Sequence, residues 1–65
     1  MDDIEKLRHL LVHWAEHNAG HANAYLEWAK KADTLGMSEL SKLLIKIEEE
    51  TLKLEKLFKK AGGLL

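Results

Sequence analysis

The sequence predicts an all-α fold: an antiparallel helical hairpin that dimerises into a four-helix bundle. Three observations lead there. Helix-forming residues dominate the 65-residue chain and proline is absent. Apolar residues recur at alternating spacings of three and four through both halves, the pattern of a sustained helical core stripe. Between the halves lies one cluster of helix-ending residues, Asp33-Thr34-Leu35-Gly36-Met37-Ser38.

The first helix is expected over about residues 2–34, with Ile4, Leu7, Leu11, Trp14, Asn18, His21, Tyr25, Trp28, Ala32 and Leu35 along its inner stripe. Gly20 sits inside it and costs about 1 kcal/mol relative to alanine. The stripe keeps its phase through Gly20, so the helix is read as continuous. Gly36 suits the left-handed position just past a helix end, and Ser38 suits an N-cap ahead of Glu39. The second helix is then expected over about residues 38–61, with Met37, Leu40, Leu44, Ile47, Thr51, Leu54, Phe58 and Ala61 inward and Gly62-Gly63 closing it. Residues 1–65 form one domain.

Two helices cannot enclose a core by themselves. Leu43, Ile45, Leu52 and Leu57 flank the second stripe on both sides, so more than half of that helix requires cover. A homodimer meets the requirement most simply. The same need follows from size, since a chain this short buries only about 60% of its unfolded surface. With no cysteine there are no disulfides and no thiolate metal ligands, which leaves oligomerisation, regular helix packing or a metal bound through N and O.

Ten Lys and Arg against 11 Asp and Glu give a formal charge of −1, which argues against a nucleic-acid partner. No segment approaches the roughly 20 apolar residues of a membrane span, and the acidic start Met1-Asp2-Asp3-Ile4-Glu5 is no secretion signal. The expected location is the cytoplasm.

The chemistry concentrates in histidine. His9, His13, His17 and His21 follow one another at intervals of four, so they neighbour each other along one helix. Taking Asn18 as the centre of the first stripe, His21 lies about 60° to one side, His17 about 100°, His13 about 140° and His9 about 180°. The row spirals from solvent into the core, and His17 and His21 are the enclosed pair. On the second helix Glu48 and Glu55 fall inside the apolar arc on either side of Thr51, where an unpartnered carboxylate is costly. Antiparallel pairing brings Glu55 level with His17 and Glu48 within about a turn of His21.

Imidazole and carboxylate together are a ligand set for a divalent transition metal, with Zn, Ni, Co, Cu and Fe all compatible. In this reading His17 and His21 are the primary ligands, His13 and Glu55 the next, and Glu48 an outer partner. The alternative is a metal-free His–Glu hydrogen-bond network that sets the register of a structural dimer. Histidines at a partly wet edge, with no particular role, are the third reading.

Signals for catalysis are missing. The chain has neither His-Glu-x-x-His nor Glu-x-x-His, which counts against a helical zinc protease and a ferritin-type di-iron site. There is no glycine-rich phosphate loop. Thr34, Ser38, Ser41 and Thr51 are the available hydroxyl nucleophiles, and Ser38 reads as a cap. Trp14, Tyr25 and Trp28 read as core packing, and Lys53, Lys56, Lys59 and Lys60 as a soluble helix end that complements the dipole.

The run His13-Trp14-Ala15-Glu16-His17-Asn18-Ala19-Gly20-His21 has the form H-W-x-E-H-N-x-x-H. It resembles a family of small, uncharacterised prokaryotic helical-hairpin proteins. That resemblance implies that His13, His17, Asn18 and His21 act as a set, with metal binding as the natural role. It implies no assigned activity.

Overall fold

The computed structural model describes residues 2–65; Met1, the first residue of the expected domain, lies outside them. Two helices, α1 (Asp3–Thr34) and α2 (Ser38–Gly63), make up the described residues, with no strand among them. They pack side by side as a hairpin measuring 51 × 18 × 10 Å. None of its helices is long and apolar enough to cross a membrane.

α1 starts where Asp2 caps it, its Oδ1 accepting from the Glu5 N–H at 2.8 Å. Asp3 and Glu5 in the first turn meet the positive end of the helix dipole. The helix passes through Gly20 without a break. Gly20 is exposed, and a Cβ there would meet nothing within 4 Å, so neither packing nor conformation requires the glycine.

The end of α1 is a complete Schellman closure. Gly36 has φ +80, its N–H donates to the Asp33 carbonyl at 3.0 Å, and the Met37 N–H donates to the Ala32 carbonyl at 2.9 Å. The Met37 carbonyl then accepts from the Ser41 N–H at 3.0 Å, which opens α2. This overturns the expected role of Ser38. Met37 is the N-cap residue, it caps with no side-chain bond, and Ser38 is already inside the helix. The closure of one helix and the start of the next share Met37, leaving no room for a separate cap. Gly62 and Gly63 also lie inside α2, which ends at Gly63, two residues beyond the expected stop, with Leu64 as a right-handed C-cap.

The hairpin seam is turned about the helix axes relative to the expected stripes. On α1 the buried or half-buried positions are Leu11, Ala15, Asn18, Ala22, Ala24, Tyr25, Leu26, Ala29 and Ala32, with Ala22 2% and Ala29 1% exposed. On α2 they are Ser41, Leu44, Glu48, Thr51, Glu55, Phe58 and Ala61. Leu11, Asn18, Tyr25 and Ala32 of the first expected stripe and Leu44, Thr51, Phe58 and Ala61 of the second lie inward as expected, while Ile4, Leu7, Leu35 and Met37 are exposed. Between them the seam moves one residue along: Ala15, Ala22 and Ala29 replace Trp14, His21 and Trp28, while Ser41, Glu48 and Glu55 replace Leu40, Ile47 and Leu54. Four of the six newcomers, Ala15, Ala22, Ala29 and Ser41, are small and let the backbones approach, while Glu55 is held at the seam by Asn18. At the turn end the approach is close enough for the buried Ser41 Oγ to donate to the Ala29 carbonyl at 2.7 Å.

The large apolar residues consequently face out. Trp14 is 44% and Trp28 58% exposed, and Leu7, Leu40, Leu43, Ile47, Leu54 and Leu57 are exposed as well. The accessible surface is 5242 Å². A compact monomer of 7.4 kDa presents about 4,200 Å², so this hairpin carries about 1,000 Å² in excess.

Candidate metal centre

Helical spacing organises the outward surface. Leu7, Trp14, His21, Trp28 and Leu35 repeat every seven residues along α1, and Leu40, Ile47 and Leu54 do so along α2. In an antiparallel pair these rows lie on the same side of the hairpin and form one apolar face. His21 is the central member of the α1 row. The opposite face carries Arg8, Leu11, Val12, Glu16, Glu55 and Phe58 around a groove of about 420 Å³. Val12 and His21, nine residues apart, point about 180° from each other.

The histidine row is ordered side chain on side chain. The His17 and His21 Nε2 atoms stand 2.9 Å apart, one ring donating its N–H to the lone pair of the other. Their rings meet edge to face, with centroids 4.4 Å apart. His13 stacks on His17 at 6.0 Å and Tyr25 stacks on His21 at 6.1 Å, so an aromatic neighbour at each end fixes the pair. Both central imidazoles are exposed. Two nitrogens on a tetrahedral Zn²⁺ are about 3.3 Å apart at a Zn–N distance of about 2.05 Å, somewhat wider than this contact.

The carboxylates behave differently. Glu55 Oε1 accepts from Asn18 Nδ2 at 3.0 Å, and the same Nδ2 donates to the Thr51 carbonyl at 2.9 Å. Asn18 thus ties the two helices at mid-length and turns Glu55 toward the groove side, away from His17. Glu48 is half-buried at the hairpin seam. Among the described residues, no three His, Cys, Asp or Glu side chains are grouped so as to hold a metal ion. The chain thus brings the two imidazoles together, and its carboxylates do not join them.

Three of the four hydroxyl candidates make backbone bonds. Ser41 bonds Ala29, Thr34 Oγ1 donates to the Lys31 carbonyl at 2.7 Å, and Thr51 Oγ1 donates to the Ile47 carbonyl at 2.7 Å. Elsewhere Lys31 Nζ lies 4.2 Å from the Trp28 ring centroid. Glu50 binds Lys53 at 2.9 Å and Lys46 at 3.3 Å on the surface. The hydrogen bond from Lys53, then that from Lys46, holds the Glu50 carboxyl below the ordinary glutamate range.

Sequence reasoning placed Asn18 between the helices, where it lies, but expected His17 and His21 to be enclosed; both are exposed, because the hairpin seam passes through Asn18 and Ala22 instead. The same reasoning missed Tyr25 as the end of the histidine stack, although Tyr25 continues the same interval of four.

Comparison with known proteins yields a family without an assigned role. Residues 7–65 match a domain of unknown function, DUF8180. An uncharacterised protein of Archaeoglobus fulgidus is 38% identical over 58 residues, covering 89% of this chain and 92% of that protein. No solved structure matches the chain.

Proposed function

We propose that this chain, which belongs to the DUF8180 family, is one half of a cytoplasmic homodimeric four-helix bundle that binds a divalent transition metal for sequestration, delivery or sensing. The observation that carries the reading is the His17–His21 pair, with its nitrogens 2.9 Å apart at the centre of an uncovered apolar row. Imidazole nitrogen suits Zn, Ni, Co, Cu and Fe. His17 and His21 supply the first two ligands. His13 is the next imidazole along the stack. Glu55 and Glu48 act from behind, fixing α2 against the ligand-bearing helix.

The excess surface supports the dimer. About 1,000 Å² per chain exceeds the roughly 800 Å² that each partner contributes to a standard interface. The expected stripes acquire a meaning here. The rows through Trp14, His21 and Trp28 and through Leu40, Ile47 and Leu54 are the positions that would face the axis of a four-helix bundle.

A purely structural dimer is the second reading. It is favoured by the fact that the histidine stack and the Asn18–Glu55 bond are complete in the protein alone. Native mass spectrometry of untagged protein, purified without chelator and then offered Zn²⁺, Ni²⁺ or Co²⁺, separates the two. A dimer that binds metal, and loses it on His17→Ala/His21→Ala substitution while staying dimeric, supports the metal reading. A dimer that never takes metal, and changes oligomeric state in the same variant, supports the structural one.

A further inference from the structure

Resting on the metal-binding reading above, we infer that the site is shared between two copies of this chain: one ion bound by His17 and His21 of each, four imidazoles in all. Three observations carry it.

The first is the ligand deficit. On the apolar face the residues of α2 level with the histidine pair are Ile47, Glu50 and Leu54. Glu50 is the one ligand type among them, and Lys46 and Lys53 already engage it. Glu55 is held by Asn18 and lines the groove on the other face, with Val12 and Glu16. His13 stacks its ring on His17 with the planes 21° apart, presenting its face to the pair. An ion on the two Nε2 atoms therefore finds no third protein ligand in its own chain, and a further molecule must supply the rest.

The second is the height of the pair. α1 runs from Asp3 to Thr34, so His17 and His21 straddle its midpoint, and the Asn18 bond to Thr51 puts them level with the middle of α2. A two-fold axis across the hairpin's middle exchanges the ends and brings His17 of one copy level with His21 of the other. A two-fold axis along the hairpin keeps every residue level with its counterpart. Both closed arrangements bring all four rings to one height.

The third is the surface around them. Trp14 and Trp28 lie one heptad on either side of His21, and together with Ile47 and Leu54 they form an apolar surround that a second copy would seal. Such a surround excludes water from an ion and leaves the two-fold axis free for it. Self-complementarity favours a second copy over a foreign partner, because the same face that leaves two positions of a tetrahedral set open supplies two nitrogens to fill them when it meets itself.

The consequence is linkage between metal and assembly. An ion that binds four ligands in the dimer and two in the monomer strengthens association. With free metal at 100 times its dissociation constant for the dimer, the dimer dissociation constant falls about 100-fold, provided the monomer binds negligibly.

The test is sedimentation equilibrium with and without Zn²⁺, combined with native mass spectrometry for stoichiometry. The expected result is one Zn²⁺ per two chains and a metal-dependent tightening of at least tenfold. Both effects should disappear in His17→Gln and in His21→Gln and persist in His13→Gln. Retained far-UV helicity in the Gln variants rules out unfolding as the cause. One Zn²⁺ per chain with unchanged association would overturn the shared site while leaving metal binding intact. Loss of Zn²⁺ in His13→Gln would likewise overturn the set of four imidazoles from His17 and His21, by making His13 a ligand. No Zn²⁺ uptake by the wild type would refute both this inference and the reading beneath it.

Discussion

Adjacent residues near the turn end, Trp28 and Ala29, exchange the roles that hydropathy alone would give them, and substituting each tests the seam. Ala29 is 1% exposed, and its carbonyl accepts from Ser41 Oγ at 2.7 Å. Ala29→Leu adds three carbons where the helices already touch. Overpacking costs about 1–3 kcal/mol. Forcing the backbones apart strains the Ser41 bond, worth about 1 kcal/mol. The expected loss is thus about 2–4 kcal/mol, against a total of about 3–10 kcal/mol for a domain of this length. In thermal unfolding that is a fall of at least about 8 °C. Trp28→Ala removes a side chain that is 58% exposed, whose nearby cation is Lys31. The cation–π contact contributes about 0.5–1 kcal/mol, and alanine's better helix propensity offsets about half of this, so the isolated hairpin changes by less than about 1 kcal/mol. In the proposed dimer its effect falls on association, and Trp28→Ala is expected to abolish the rise of the melting temperature with protein concentration that such a dimer would show. Far-UV circular dichroism over a range of concentrations reads both. The reasoning fails if, in dilute monomeric protein, Trp28→Ala costs the roughly 3–5 kcal/mol of a buried tryptophan while Ala29→Leu is neutral.

Three further expectations follow from named contacts. Asn18→Ala removes both bonds of Nδ2 and leaves the half-buried Glu55 without its donor, so urea unfolding should register a loss of about 1–2 kcal/mol. Two glycines should respond with opposite sign. Gly20→Ala gains about 0.5–1 kcal/mol at an open helical site, whereas Gly36→Ala at φ +80 loses about 1 kcal/mol, both read as melting temperatures. The carboxyl of Glu50 is depressed in the folded protein by Lys53 and Lys46. Its contribution is present above the ordinary glutamate pKa and is lost as pH falls through the depressed folded value. An NMR titration should find the Glu50 midpoint rising in a Lys46→Ala/Lys53→Ala variant and with added salt.

Much of the architecture is legible in the residues. Gly36 announced the turn because a left-handed position favours glycine, and the spacing of three and four announced both helices. What stayed hidden was which side of each stripe the hairpin itself uses. Hydropathy ranks Trp14, Trp28, Ile47 and Leu54 above Ala15, Ala29, Glu48 and Glu55. It cannot express that two backbones come closest where side chains are small. A wheel also cannot foresee Asn18 turning Glu55 away from the histidines, because both residues satisfied the expected register, and a side-chain rotamer chose the partner. Ser38 misled for a related reason: a capping residue is recognised from type and place, but the closure of α1 had already taken the place.

That closure reaches well beyond the turn. Met37 links backward through its N–H to Ala32 and forward through its carbonyl to Ser41, so the connection contains no slack residue. Inserting one residue there would rotate α2 by about 100° and slide it about 1.5 Å. Ser41 would then miss Ala29, and Thr51 and Glu55 would miss Asn18, all at once. Three residues between the helices thus act as a ruler for partners more than 30 residues apart in the chain. Leu35 and Met37 are exposed and free to change in identity, but the number of residues in the turn is not. Proteins built on this hairpin should tolerate substitution in the turn and reject insertion or deletion.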